Sequence, residues 1–321
     1  MMSALVCGIS GQDGAYLAQL LLDKGYEVVG TSRSTDEAHF TSLVALGIRD
    51  HVRIEPLSVI EPDAVLSLLK RLRPDEIYNL SGQSSVGLSF TQPIEALQSI
   101  SVATLNLLEA MRVLQFSGRF FNACSSECFG NTDDAGADEM TPFRPRSPYA
   151  IAKAAAYWQV ADYRAAYGLY ACSGILFNHE SPLRPPNFVT RKIINGAYRI
   201  AQGEINELEL GNLEISRDWG WAPDYVDAMW RMLQLDTPDD FVIATGKSHT
   251  LNDFLSQVFE CFGLDWRDYV IVNHDLTRPL DIEFSKGNPA KAAAMLDWSP
   301  RISFEEMVRR MVEAVKVSAF Q

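Results

Sequence analysis

Near its N-terminus the chain reads ALVCGISGQDGAYLAQLLLDKG, and nothing else in the sequence restricts the fold as much. Ala4 to Ile9 is apolar and β-prone, a short buried strand. Leucines then recur at helical spacing and stop at Gly25, a common helix-ending residue. Between them lie Gly8, Gly11 and Gly14, with Gln12 and Asp13 in the same turn. Strand, glycine turn and helix together let backbone approach a pyrophosphate, which the helix N-terminus then faces. Gly8, Gly11, Gln12, Asp13 and Gly14 are therefore candidate cofactor contacts. A merely structural turn is the alternative, but the placement between strand and helix favours a dinucleotide.

The same rhythm continues downstream. Tyr26–Thr31, Val52–Glu55, Glu76–Leu80, Phe120–Cys124 and Leu169–Phe177 read as further strands. Helical patterns separate them, including Pro62–Leu72 and one long helix over Pro93–Val113. This alternation specifies an α/β chain with a Rossmann-like, doubly wound parallel sheet. After Asn178 the pattern changes: a Pro-rich loop, a helix over Phe188–Gln202, a strand over Glu207–Gly211 and a loop into another helix. A strand at Phe241–Thr245 and helices over Leu251–Phe262 and Phe304–Val317 close the chain. The expected division is a dinucleotide-binding domain of residues 1–177 and 213–247 with a discontinuous α/β substrate lobe of residues 178–212 and 248–321.

Where the second strand of a dinucleotide-binding domain ends, an acid commonly holds the ribose 2′-hydroxyl. Here Thr31, Ser32, Arg33 and Ser34 follow, with no acid before Asp36. Arg33 suits a 2′-phosphate, which favours NADP; a solvated surface arginine is the alternative.

Composition removes several function classes. A net charge of −13 argues against nucleic acid or an acidic membrane surface as a partner. No apolar run reaches the roughly 18 residues of a membrane span, and the N-terminus has no basic leader region. Five cysteines, an odd number without a ligand framework, point to reduced thiols in a cytoplasm and to no metal.

The chemistry concentrates between Ala123 and Lys153. Ser125 and Glu127 follow an apolar strand, where open parallel sheets bind ligands. Ser147 is a good N-cap and Pro148 a good first helical residue. Tyr149 and Lys153, four apart, share one face of the helix that follows. Each of these residues alone has a structural explanation; their joint placement after a dinucleotide turn makes Ser125, Glu127, Tyr149 and Lys153 the catalytic candidates.

The segments GQDGAYLAQLLLDKGYEV, CSSECFG, TPFRPRSPYAIAKAAAYW, GILFNHESPLR, FVTRK, ISRDWG and DFVIATG resemble the GDP-mannose 4,6-dehydratases, within the extended short-chain dehydrogenase/reductases. The likeness spans essentially the whole chain. It implies bound NADP, a GDP-sugar substrate and a 4-keto-6-deoxy product. It also implies that Leu80, Ser81, His179 and Arg184 line the cofactor, and that Ser84, Asn178, Lys192, Arg217 and Arg278 bind the substrate. Arginine forks and a lysine point charge suit a diphosphate.

Departures from the family pattern are visible. Ser125 stands for a usual Thr, Cys124 for Ser, Phe129 for Tyr, and Asp281 for a Glu. Ser58 replaces an acid on the adenine. Only Arg33 and Arg49 occur between Thr31 and Asp50, where relatives carry an arginine-rich loop that reaches a neighbouring subunit. A homodimer is therefore expected ahead of a tetramer.

The implied mechanism begins with Tyr149 as base on the sugar 4-hydroxyl, its pKa lowered by the Lys153 ammonium and the nicotinamide charge. Ser125 hydrogen-bonds the same oxygen. Glu127 takes the C5 proton and then protonates the departing 6-hydroxyl. Rival readings are a dehydratase of a related GDP-sugar such as a GDP-heptose, a nucleotide-sugar epimerase or reductase, and a non-catalytic NADP-binding relative. Glu127, two residues after Ser125, favours elimination of water.

Overall fold

The computed structural model describes residues 1–318. Seven parallel strands form the central sheet: β1 (Ser3–Cys7), β2 (Glu27–Ser32), β3 (Arg53–Pro56), β4 (Glu76–Asn79), β5 (Arg119–Ser125), β6 (Ala171–Leu176) and, later in the chain, Phe241–Ile243. Between those last two come β7 (Asn178–Glu180), β8 (Leu208–Leu210), β9 (Ser216–Arg217) and β10 (Trp219–Trp221), so Phe241–Ile243 is β11. The short strands β12 (His249–Thr250) and β13 (Val270–Val272) follow. Sheet order is β11-β6-β5-β4-β1-β2-β3. The chain runs outward from β1 through β2 to β3, then restarts on the other side of β1 at β4. A crevice opens at such a reversal, outside the carboxyl ends of the strands.

Helices cover both faces of the sheet, which is why its strands are continuous apolar runs. One core packs α1 (Gln12–Asp23) and the Ala222–Met232 helix against Ala4, Val6, Phe121 and Phe241. The other face packs Leu5, Ile77 and Phe120 against Val65, Leu69, Leu107 and Met111. A separate core forms from Ile193, Ile194, Leu208, Phe254, Phe259, Met307 and Met311, joining the Val189–Ala201, Leu251–Glu260 and Phe304–Ser318 helices.

The division between these cores differs from the sequence expectation. Ala292, Leu296 and Trp298 pack in the first core, under the sheet, rather than in the smaller lobe. Trp298 donates its indole N–H to the Asp224 carbonyl at 2.8 Å, which ties that segment to the large domain. Trp219 and Trp221 pack in the small-lobe core although they lie within 213–247.

The Pro62–Leu72 helix has the expected ends. The expected single helix over Pro93–Val113 is instead three pieces: α-helix at Pro93–Leu97, a π segment at Gln98–Val102, and α-helix at Ala103–Val113. Such wide turns often sit beside functional sites. Here Ser99 Oγ accepts the Gln83 N–H at 3.1 Å, which fixes the loop after β4. Among the described residues no helix is long and apolar enough to cross a membrane.

Candidate active site

The turn after β1 folds as it does because two of its residues have no side chain. Gly8 has φ +86, and a Cβ there would stand 2.8 Å from the Leu80 carbonyl oxygen. A Cβ on Gly14 would meet the Gly8 oxygen at 2.3 Å. β1, the loop after β4 and α1 therefore close on one another only with glycines. Gly11 is the N-cap of α1 and supplies no side-chain cap. The first-turn N–H groups are left for an anion, and the positive helix end favours one. These residues fit the pyrophosphate of a dinucleotide.

Asp13, on the first turn of α1, reaches across to β7. Its Oδ2 lies 2.9 Å from His179 Nε2, while His179 Nδ1 lies 2.7 Å from the Phe177 carbonyl oxygen. Both partners are acceptors, so both ring nitrogens carry hydrogen and His179 is an imidazolium. Burial alone would lower the His179 pKa, but the Asp13 charge and hydrogen bond raise it above its ordinary value. Burial likewise raises Asp13, and His179, Gln12 and Arg184 more than reverse this, to about 2. Gln12 bridges the same elements: its Nε2 donates to the His179 carbonyl at 3.2 Å, and its Oε1 accepts from Ser181 Oγ at 2.8 Å.

Ser125 is the last residue of β5, and Glu127 sits in the single 3-10 turn that follows, Ser126–Cys128. The Glu127 N–H points back to Ser125 Oγ at 3.3 Å. The long helix Pro148–Tyr167 starts as its sequence demands: Ser147 Oγ accepts the Ala150 N–H at 3.1 Å. Tyr149 and Lys153 are both buried on the face toward β5. The Tyr149 phenol and the Ser125 side chain line the same cleft. Lys153 Nζ donates to the Ala123 carbonyl at 2.7 Å and lies 5.8 Å from the Tyr149 ring centre.

The expected lowering of the Tyr149 pKa is not what the protein's own groups produce. Burial raises it, and the nearby Ser125 side chain offsets this only in part. The Lys153 ammonium is directed at Ala123, and burial lowers its own pKa.

Glu127 is a half-buried carboxyl with its pKa raised. Burial is the main cause; Arg217 and Arg278 pull it down, and Asp281 pushes it up. Arg217 is 5% exposed and held on three sides: Nη1 donates to the Ser216 and Ile282 carbonyls at 3.0 and 2.7 Å, and Nη2 lies 3.3 Å from Asp281. Arg278 approaches the same Asp281 oxygen at 3.7 Å. Two guanidinium groups thus stand beside the acid, which suits a diphosphate next to a proton-transfer centre.

One cleft joins most of the sequence candidates. Asp13, Leu80, Ser81, Ser84, Ser125, Glu127, Tyr149, Lys153, Asn178, His179, Arg184, Arg217 and Arg278 all line it. Gly8, Gly11, Gln12 and Gly14 lie behind Asp13 in the turn. Arg33 is exposed at the end of β2, and Ser58 is half-buried after β3; neither reaches the cleft wall. Lys192 is not brought into the site. It is exposed on its helix and donates to the Glu209 carbonyl at 2.6 Å, because the neighbouring Ile193 and Ile194 turn into the small core. Sequence reasoning missed Glu180, which lines the cleft, accepts from Thr190 Oγ1 at 2.7 Å and pairs with Arg184 at 3.2 Å. Its place beside His179 was the available signal. Cys124 and Cys128 meet at 3.7 Å between sulfurs, and among the described residues no group of three or more His, Cys, Asp or Glu is placed to hold a metal.

A dinucleotide turn at the sheet's reversal, with Ser125, Tyr149 and Lys153 at the carboxyl edge and a second lobe over the cleft, defines an extended short-chain dehydrogenase/reductase. Comparison with known proteins narrows this. A UDP-glucose 4-epimerase from Thermotoga maritima superposes with a TM-score of 0.87 over 99% of this chain and 100% of that one, at 22% identity, which establishes the fold alone. A Thermus thermophilus UDP-glucose 4-epimerase, in complex with NAD, gives 0.84 at 26% identity over 98% and 99%. The sequence model for GDP-mannose 4,6 dehydratase matches residues 5–311. GDP-mannose 4,6 dehydratase 1 of Arabidopsis thaliana is 45% identical over 97% of this chain and 88% of its own length. The Homo sapiens enzyme of that name is 40% identical over 97% and 90%. The chain belongs to the GDP-mannose 4,6 dehydratase family.

Proposed function

We propose that this protein is a hydro-lyase that converts GDP-mannose to GDP-4-keto-6-deoxymannose and water, with NADP as its resident cofactor. The observation that carries the reading is Glu127: a half-buried carboxyl on the cleft wall, its pKa raised, two residues from Ser125 and lining the same cleft as Arg217 and Arg278. An epimerase or ketoreductase has no need of an acid there.

The dinucleotide supplies a reversible hydride acceptor for C4 and donor for C6. Tyr149 takes the 4-hydroxyl proton, and Ser125 hydrogen-bonds the same oxygen. With the phenol raised by burial, proton removal requires a cation to draw near, and Lys153 is one turn away on the same face. Glu127 removes the C5 proton that the 4-ketone acidifies. A raised pKa then lets the same carboxyl hand a proton to the departing 6-hydroxyl, and Tyr149 or water returns the proton that C5 needs when C6 is reduced. Arg217 and Arg278 hold the diphosphate, and Asn178 and Ser84 line the sugar's approach. Arg33 makes no ion pair among the described residues, which supports a 2′-phosphate as its partner and hence NADP.

The proposed assembly is a homodimer. Ile94, Leu97, Val102, Ile151 and Trp158 are 37–71% exposed on the contacting Pro93–Val102 and Pro148–Tyr167 segments, an apolar face that association would cover. The two-lobe division, adjusted for Trp219, Trp221 and Ala292–Trp298, and a cytoplasmic location belong to the same reading; five free thiols support the latter.

Incubation with GDP-mannose and detection of a 4-keto product tests the activity. Binding without product overturns it. Glu127→Gln should still reduce bound NADP⁺ but stall before water leaves. Normal turnover in that variant would remove Glu127 from the mechanism.

A further inference from the structure

Behind the cleft wall, where β4 and β5 end, lies a buried polar cluster that no step above uses: Asn79, Thr104 and Asn122. Its hydrogens can be assigned in turn. The Thr104 hydroxyl has one hydrogen and lies 2.7 Å from the Ile100 carbonyl oxygen, which only accepts. Its remaining capacity toward Asn79 is as an acceptor. The Asn79 atom facing it, at 3.1 Å, is therefore the amide nitrogen, which also donates to Asn122 Oδ1 at 3.1 Å. That orientation turns Asn79 Oδ1 toward Ser81 Oγ, 2.6 Å away. Such a separation is ordinary for O–H···O and short for N–H···O. Ser81 thus spends its one hydrogen inward on Asn79. What it presents to the cleft it lines is a lone pair only.

The position of Ser81 says what meets that lone pair. A Cβ on Gly8 would stand 3.0 Å from the Ser81 nitrogen, so Ser81 rests against the dinucleotide turn. It lines the same cleft as Ser125, Tyr149 and Lys153. Between pyrophosphate and nicotinamide a dinucleotide carries a ribose, whose hydroxyls donate; phosphate oxygens only accept.

We propose that Ser81 is a specificity residue that accepts a hydrogen bond from a ribose hydroxyl of the bound dinucleotide, and that Asn79, fixed by Thr104, is the positioning residue that keeps Ser81 from acting as a donor. This rests on the dinucleotide reading above.

Titration of the full-length protein with NADPH, read by energy transfer from tryptophan to bound nicotinamide, separates the two claims. If the wild type does not bind, both fall. If it binds, Ser81→Ala should weaken Kd about fivefold, the scale of one neutral hydrogen bond. Thr104→Val should weaken it less, and the double variant should be no worse than Ser81→Ala, because both act through one relay. The Ser81→Ala loss should persist, in competition, with an acetylpyridine analogue of NADP that lacks the carboxamide N–H. Unchanged binding by Ser81→Ala, additive losses, or a loss that vanishes with the analogue would each overturn the assignment. Should Ser81→Ala not fold, Ser81→Cys, of similar shape but a weak acceptor, is measured in its place with the same expectations.

Discussion

The Asp13–His179 pair gives the most exacting prediction, because its two ends fail at opposite extremes of pH. Asp13 belongs to α1 and His179 to β7, 166 residues apart, at a separation of 2.9 Å. A tenfold change in proton affinity is worth about 1.4 kcal/mol. A carboxyl drawn from 3.8 to about 2 therefore adds about 2 kcal/mol to stability, taken at the low end because the Asp13 side chain keeps 24% of its surface exposed. The signs follow from linkage. Asp13 is lowered in the fold, so its contribution is present above 3.8 and is lost as pH falls toward 2. His179 is raised, so its contribution is full below 6.5 and is lost as pH rises through the higher folded value. The other groups bearing on the ring are Arg184, which opposes the charge, and Tyr225, stacked at 4.5 Å. Urea unfolding followed by tryptophan fluorescence, at about pH 5.5 and again near pH 9, should give a higher midpoint at the lower pH. Asp13→Asn should lower stability by about 2 kcal/mol at the lower pH and flatten the difference between the two. A variant as stable as wild type, or one that keeps the full alkaline decline, would refute the charged pair.

Other outcomes follow from the same geometry. Lys153→Met should abolish turnover while GDP-mannose binding, measured by calorimetry, stays within about threefold, because Lys153 contacts Ala123 and not the arginine end. Arg217→Met should weaken GDP-mannose binding by at least about tenfold, as expected for a lost charge-assisted bond. Trp158→Asp, at a site 62% exposed on the apolar face, should give a monomer in light scattering where the wild type gives the proposed dimer, without loss of the folded circular dichroism spectrum. Ser147→Ala should cost about 1 kcal/mol in denaturant unfolding through the lost cap.

What the sequence disclosed follows the range of the interaction. Local patterns read well: the Gly8–Gly14 turn, the Ser147 cap, and the shared face of Tyr149 and Lys153 each depend on a few neighbouring residues. Ser125 and Glu127 were legible because a strand end in a parallel sheet has a known place. Long-range geometry was not. No local signal says that Lys192 turns outward to Glu209 while Ile193 and Ile194 turn inward, or that Asp281 stands between Arg217 and Arg278. The direction of the Tyr149 shift was missed for a related reason: proximity of Lys153 is written in the sequence, but burial is not, and burial dominates. The π segment also escaped, since Gln98–Val102 (QSISV) has no Gly or Pro to mark a change of winding.

That wide segment constrains the length of the chain. It accommodates one residue more than an α-helical path would need. Deleting a single residue there should restore regular winding and leave the flanking helix in register, whereas the same deletion within Ala103–Val113 would rotate everything after it by about 100° about the helix axis. Thr104, Leu107, Leu108 and Met111, all buried, would keep their places in the first case and lose them in the second. The Gln98–Val102 segment is thus the one stretch of this helix where a one-residue deletion leaves a whole wall of the domain in register.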